Sequence, residues 1–273
     1  NNSIEVATLL IEHGADVEVE DEIGGSPLHD TAWKNSFDIA NLLLRHGADI
    51  KVKDDHDSTP LHKAAQSKSI EVATLLIKHG ADVEAQDEDG NTPLHTAAQN
   101  NSIEVATLLI EHGADVEAQD SENSTPIHTA AQNNSIEVAT LLIEHAADVE
   151  AQDSENSTPL HQAAIENSIE VATLLIEHGA DVEAQDADGN TPGDRAIESN
   201  SLAVTNLLLA KGAHIEPVNP TYVPEIGYDI DDRYQLDEVP EEEIALRDPD
   251  TWHLAPDGTQ PGQLDWDSLD YEN

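Results

Sequence analysis

Apolar residues along this chain fall into two short clusters that alternate. Within residues 87–119 the first cluster is Leu94, Ala97 and Ala98, and the second is Val105, Ala106, Leu108, Leu109 and Ile110. Each has the three-and-four spacing of a helix with one buried stripe. The alanines of the first predict close approach of a neighbour. Thr92 and Pro93 stand where that helix begins, the threonine as cap and the proline at the first helical position, where its missing N–H is not needed. Asn100-Asn101 break the helix, Ser102 is placed to cap the next one, and Glu104 suits its positive end. Gly113 predicts a left-handed residue closing the second helix. Asp115-Val116-Glu117-Ala118 predicts an extended finger leading into the following turn.

The pattern returns every 33 residues, marked by Pro27, Pro60, Pro93, Pro126, Pro159 and Pro192. A His-Gly-Ala-Asp quartet keeps the same beat from His13, His46, His79, His112 and His178, with variants at His145 and Lys211. The turn position reads Gly24, Asp57, Gly90, Asn123, Asn156 and Gly189, all residues that accept positive φ. Ala146 holds the slot of Gly113 and Gly179, and an alanine at positive φ costs on the order of 1 kcal/mol, so its repeat is expected to be locally weaker. No such unit can bury its stripe alone. The chain is therefore predicted to be a stack held by nearest-neighbour contacts, without a central core.

A 33-residue period built on Thr92-Pro93-Leu94-His95-Thr96-Ala97 resembles the ankyrin repeat, a turn plus two helices per unit. The resemblance covers residues 1–216 and implies an all-α solenoid of helix-turn-helix repeats with finger loops. It also implies a protein partner and no enzymatic activity. Asn1-Asn2-Ser3-Ile4 aligns with Asn100-Asn101-Ser102-Ile103, so the chain is expected to begin inside a longer array, with its first repeat partial. Pro192-Gly193-Asp194-Arg195-Ala196 departs from the motif, as expected of a polar capping repeat. In proteins resembling this one, the slot of Trp33, its successor and the fingertip line the concave partner-binding face. Here those residues include Ile23, Trp33, Lys34, His56, Ser67, Ile165 and Glu166, and Lys63 beside them is an eighth partner-binding candidate. Trp33 is the leading candidate, because its equivalents Gln66, Gln99, Gln132, Ile165 and Glu198 make the slot normally polar and exposed. Phe37 aligns with Ile70, Ile103, Ile136 and Ile169 and is expected in the core, while the central repeats read as spacer.

The resemblance further implies that His29, His62, His95, His128 and His161 hydrogen-bond neighbouring backbone. A shared metal is disfavoured, since equivalent residues of stacked helices lie about 8–10 Å apart and metal–nitrogen bonds are about 2.0–2.1 Å. Asp87, Asp89 and Asn91 imitate the start of a calcium loop but lack its closing glutamate. No cofactor or metal is expected.

Charge narrows the partner classes. Lysine and arginine number 11 against 57 acids, a formal charge of −46, which disfavours bare nucleic acid and anionic membranes. No apolar run reaches membrane-spanning length, and there is no cysteine for disulfides, zinc thiolates or nucleophilic catalysis. This composition fits an intracellular, cytoplasmic protein. Seven of the 11 basic residues, Lys34, Arg45, Lys51, Lys53, Lys63, Lys68 and Lys78, lie in two early repeats beside Trp33.

After Glu216 the period stops, and residues 217–273 hold seven of the 13 prolines and six of the eight aromatics. This acidic tail carries two linear-motif candidates, at 228–234 and 263–269. Asp229, Asp231 and Asp232 lack the scaffold that catalysis needs. A tail-to-groove self-contact with the early lysines is conceivable on charge grounds. The leading expectation is a non-enzymatic interaction scaffold binding a partner through its concave face, regulated by the tail. The alternatives are an acidic inhibitor or immunity-type protein that blocks a basic surface, and the targeting portion of a larger enzyme.

Overall fold

The computed structural model describes residues 2–215, with side chains from Ile4 onward. The expectations for residues 217–273 lie outside the described residues. Thirteen helices and no strand occur among the described residues. The first is α1 (Asn2–Glu12). Six two-helix units follow: α2 (Pro27–Trp33) with α3 (Phe37–Arg45), α4 (Pro60–Gln66) with α5 (Ile70–Lys78), and α6 (Pro93–Gln99) with α7 (Ile103–Glu111). Then come α8 (Pro126–Gln132) with α9 (Ile136–Glu144), α10 (Pro159–Ile165) with α11 (Ile169–Glu177), and α12 (Pro192–Glu198) with α13 (Leu202–Ala210). Each first helix packs on the first helix of the next unit, and each second helix on the next second helix. The described part is thus a one-dimensional, all-α stack of repeats.

Seven-residue helices are too short to persist alone. They are held by burial along the stack. Leu28, Leu61, Leu94, Ile127 and Leu160 are at most 1% exposed, and Ala64, Ala65, Ala97, Ala98, Ala130 and Ala131 are fully buried. Truncating one of these leucines to alanine costs about 2–5 kcal/mol by analogy with other cores. The last unit has Gly193 in this slot, and a Cβ there would stand 2.7 Å from Ile215 Cγ1. Ile215 folds back into the space the other leucines fill. That unit is less polar than expected of a cap, because Leu202 and Leu209 on α13 are 66% and 50% exposed.

The threonine caps are closed by histidine. His95 Nδ1 accepts the N–H of Thr92 at 3.2 Å and meets its hydroxyl at 2.9 Å. Since an N–H must donate, Nδ1 is bare and Nε2 carries the proton. Nε2 then donates to the carbonyl of Ser124 in the next unit at 3.0 Å. His29, His62, His128 and His161 make the same forward bond to Ser58, Asn91, Ser157 and Asn190 at 2.9–3.1 Å. The helix thus receives the reciprocal box usually closed by glutamate or glutamine, and the same ring reaches the neighbour. In the last unit Asp194 closes the box alone, accepting from Thr191 N–H at 2.9 Å.

Three further ladders join the units. Asn35, Asn101, Asn134 and Asn167 end first helices at positive φ, and their Oδ1 atoms accept from Val72, Val138, Val171 and Val204 N–H at 3.2–3.3 Å. Glu18, Glu84, Glu117, Glu150 and Glu183 accept from the backbone N–H 31 residues on, at 2.5–2.8 Å. At the fingertips Asp55, Glu88, Ser121, Ser154 and Ala187 N–H donate to Ile23, His56, Asp89, Glu122 and Glu155 carbonyls at 2.8–3.1 Å. Lys68 interrupts the asparagine column at φ 59°, and Lys51 interrupts the glutamate column.

All six turn residues from Gly24 to Gly189 have positive φ, and Ala146 sits at φ 66° in the helix-ending slot. At Gly90 the constraint is also spatial, since a Cβ would lie 2.7 Å from Ser121 N. Three expectations need correction. Ser102 does not cap α7 with its side chain; its hydroxyl donates at 2.6 Å to the carbonyl of Ala65 in the preceding unit. The finger is not simply extended, for Ala118 N–H closes a turn on Asp115 at 3.2 Å. Phe37 is not core but 43% exposed. Its slot is only half-buried where isoleucine fills it, so the larger ring stands out beside Ile4 and Glu71.

Three measurements check these contacts. Ala146→Gly relieves the left-handed alanine and raises stability by about 1 kcal/mol, read as a higher urea midpoint or slower hydrogen exchange across α9 and α10. Lys68→Asn restores the ladder toward Val105 and Glu104 and stabilises by about 1 kcal/mol on the same assay. The five bridging histidines are held below their ordinary value of 6.5, chiefly by burial. The unfolded chain therefore binds more protons than the folded one as pH falls below about 6.5, and stability drops with it. His56, raised by its hydrogen bond to Glu88, and Glu84, Glu117 and Glu150, raised by burial, act in the opposite sense, but His56 is a single exposed ring and the glutamates start from a lower ordinary value of 4.5. The urea midpoint falls between pH 7.5 and pH 5.5, and a flat midpoint contradicts the bridging role.

Candidate functional site

The partner-facing candidates sit at the ends of first helices and at fingertips. Trp33, the last residue of α2, is 50% exposed, and the fingertip residue Ile23 is 55% exposed. They flank an open groove of about 300 Å³, whose other walls include His29, Asp30, Asp54 and Lys63. The fingertip carbonyl of Ile23 is fixed by Asp55 N–H at 3.1 Å, so the apolar side chain is presented by a held loop. Gln66, Gln99 and Gln132 occupy the slot of Trp33 in the next units and are exposed. Ile165 is half-buried and Glu166 exposed at the end of α10, four units away from Trp33.

Of the eight sequence-derived candidates, Ile23, Trp33 and Lys63 line this one groove; the other five do not. The lysines are engaged locally. Lys63 Nζ lies 2.7 Å from Asp54 Oδ2, with the aspartate side chain fully buried. Burial pushes the Asp54 carboxyl upward, but Lys63 and the N–H groups of His56 and Ser58 outweigh it and hold it below the usual range. Lys34 pairs with Asp30 at 3.1 Å, and Lys53 lies 3.7 Å from Asp57 while donating to the Gln86 carbonyl at 2.9 Å. The exposed pairs contribute little to stability. They nevertheless cancel much of the positive charge that the sequence gathers beside Trp33.

His56 and Ser67 are also bonded within the chain. His56 Nδ1 is 2.6 Å from Glu88 Oε1 across a fingertip step. Ser67 Oγ bonds the carbonyls of Lys63 at 2.7 Å and Ala32 at 3.1 Å, tying α4 to α2. Its position beside Trp33 in the repeat register reflects packing between units.

A second groove, missed because the central repeats read as spacer, runs between α6 and α8 and their fingers. Its volume is about 350 Å³, and Asp87, Thr96, Gln99, Asp120, Thr129 and Gln132 are among its walls. Asp87 braces its own loop, its Oδ1 accepting the N–H groups of Asp89 and Asn91 at 3.1 and 2.8 Å. Among the described residues no three histidine, aspartate or glutamate side chains gather in a set that could hold a metal ion. Nor is any described helix long and apolar enough to cross a membrane.

A family model described as ankyrin repeats in three copies matches residues 53–120, 82–153, 117–186 and 150–219. One described as ankyrin repeats in many copies matches residues 10–71. A search of curated proteins gave no match. The paired helices, the Thr-Pro-Leu-His caps and these matches over most of its length place the chain in the ankyrin repeat family.

Proposed function

We propose that the chain is a non-enzymatic interaction scaffold that binds a protein partner through the face formed by its first helices and finger loops. Ankyrin repeats are generally protein–protein interaction modules. The observation that carries the reading for this chain is the pair Ile23 and Trp33, half exposed and lining one groove, where the next units carry His56 and Gln66, then Asp89 and Gln99. A tryptophan at a rigid helix end, flanked by charged groups, has the character of an interface anchor. The array from residue 1 to residue 216 is the binding unit in this reading, with Ile165 and Glu166 as a second, separate contact. The absence of cysteine fits an intracellular setting.

The acidic tail remains a candidate regulator of this face. The local pairing of Lys34, Lys53 and Lys63 weakens the attraction such a self-contact would draw on. The surplus of acids favours a basic partner over a nucleic acid or an anionic membrane.

Affinity capture with the full chain and with its Trp33→Ala variant, followed by titration of the shared partner, tests the reading. Trp33→Ala lowers affinity about thirty-fold, equivalent to about 2 kcal/mol, if the ring is an anchor. Unchanged affinity removes Trp33 from the interface.

A further inference from the structure

One column of aspartates runs through the fingers: Asp21, Asp54, Asp87, Asp120, Asp153 and Asp186. In each, Oδ1 serves the loop itself, accepting the backbone N–H groups two and four residues on at 2.7–3.1 Å. The carboxylate is thereby fixed, and Oδ2 is left for the residue nine places later on the first helix, except in the first of these units, where that residue is another acid, Asp30. In two units that residue is a cation. Lys63 Nζ docks 2.7 Å from Asp54 Oδ2, and Arg195 Nη2 docks 2.6 Å from Asp186 Oδ2. In a third, Gln162 donates to Asp153 Oδ2 at 3.3 Å.

At the centre of the array the position is Thr96 or Thr129, too short to reach. Among the described residues, no cation pairs with Asp87 or Asp120. The space that a lysine or arginine fills elsewhere is open here as the polar groove of about 350 Å³.

We propose that this groove receives two basic side chains of a partner polypeptide, one against Asp87 and one against Asp120, in the places Lys63 and Arg195 fill within the chain. The inference rests on the protein-binding reading above and names the partner's chemistry. Acids alone would gather diffuse counter-ions. These two positions are distinguished because the same carboxylate, oriented by the same backbone bonds, already holds a cation in two other units. The formal charge of −46 draws a basic segment from a distance, and the half-buried floor strengthens the pair once made. Spacing selects the segment. Equivalent residues of packed helices are about 8–10 Å apart. A polyproline-type strand rises about 3.1 Å per residue with three residues per turn, so basic residues three apart share one face about 9 Å from each other.

The probe is a fluorescein-labelled peptide containing Arg-Pro-Pro-Arg, compared with an isomer whose arginines are adjacent, titrated against the full chain at about 0.15 M salt. The spaced peptide binds at least about ten-fold more tightly than its isomer. The double variant Thr96→Lys/Thr129→Lys supplies the chain's own cations and loses that binding by at least about ten-fold. Glu111→Gln/Glu144→Gln changes the net charge equally, on exposed ends of second helices, and retains it. If the lysine variant loses its helical circular dichroism, Asp87→Asn/Asp120→Asn takes its place, keeping an oxygen for the loop while removing the charge, with the same loss expected. Equal binding of the two isomers, or equal loss in the groove and control variants, overturns the proposal. A wild-type chain that ignores the spaced peptide while retaining Trp33-dependent capture of its partner overturns this inference and leaves the protein-binding reading standing.

Discussion

The stack depends on one side chain performing two tasks. A helix of seven residues cannot satisfy its first N–H groups from within, and a unit of two short helices cannot hold its neighbour by apolar burial alone without sliding. In five of the six two-helix units a histidine three residues after the serine or threonine cap meets both needs, accepting from the cap on one ring nitrogen and donating to the next finger on the other. Its tautomer is set by the cap, so the forward bond has a fixed polarity. Local helix formation and register between units become one event. The alanines beside it then permit the close approach that the bond requires.

Among the described residues, many acids that look superfluous in the composition have structural duties once the fold is in place. Each finger aspartate accepts two backbone N–H groups of its own loop. Glutamates of the fingers accept from the following unit, and burial raises Glu84, Glu117 and Glu150 above their ordinary value. Others are drawn the other way: Glu71, Glu137 and Glu170 are lowered by the asparagine amides that face them. Negative charge is thus partly the by-product of a loop architecture that uses carboxylates to satisfy backbone donors. Copying the unit copies the charge.

Much of this was legible in the sequence, because period and turn chemistry are local. The proline beat located the first helices, the turn column foretold positive φ at all six positions, and Ala146 was identified as the odd member of its column. What escaped was reach across units. Nothing in the spacing shows that Asn101 bonds Val138, that Ser102 turns back to Ala65, or that Lys63 lies on Asp54. Those partners are set by the stacking distance and the side-chain rotamer, neither of which a single line of sequence displays. Phe37 was misplaced for a related reason: alignment with isoleucine gave its column, but the depth of that column depends on the neighbouring helix.

The bonds between units span 29 to 37 residues, and each joins a unit only to the next. None of them records how many units precede or follow. Excising a whole interior unit, or splicing in another, would bring the same donors opposite the same acceptors at the new junction. Length along the face of first helices and fingers is therefore graded in whole steps, like the marks of a ruler. A partner that reads two such marks can be moved along the array, or offered additional landing places, by duplication alone and without redesign of any contact.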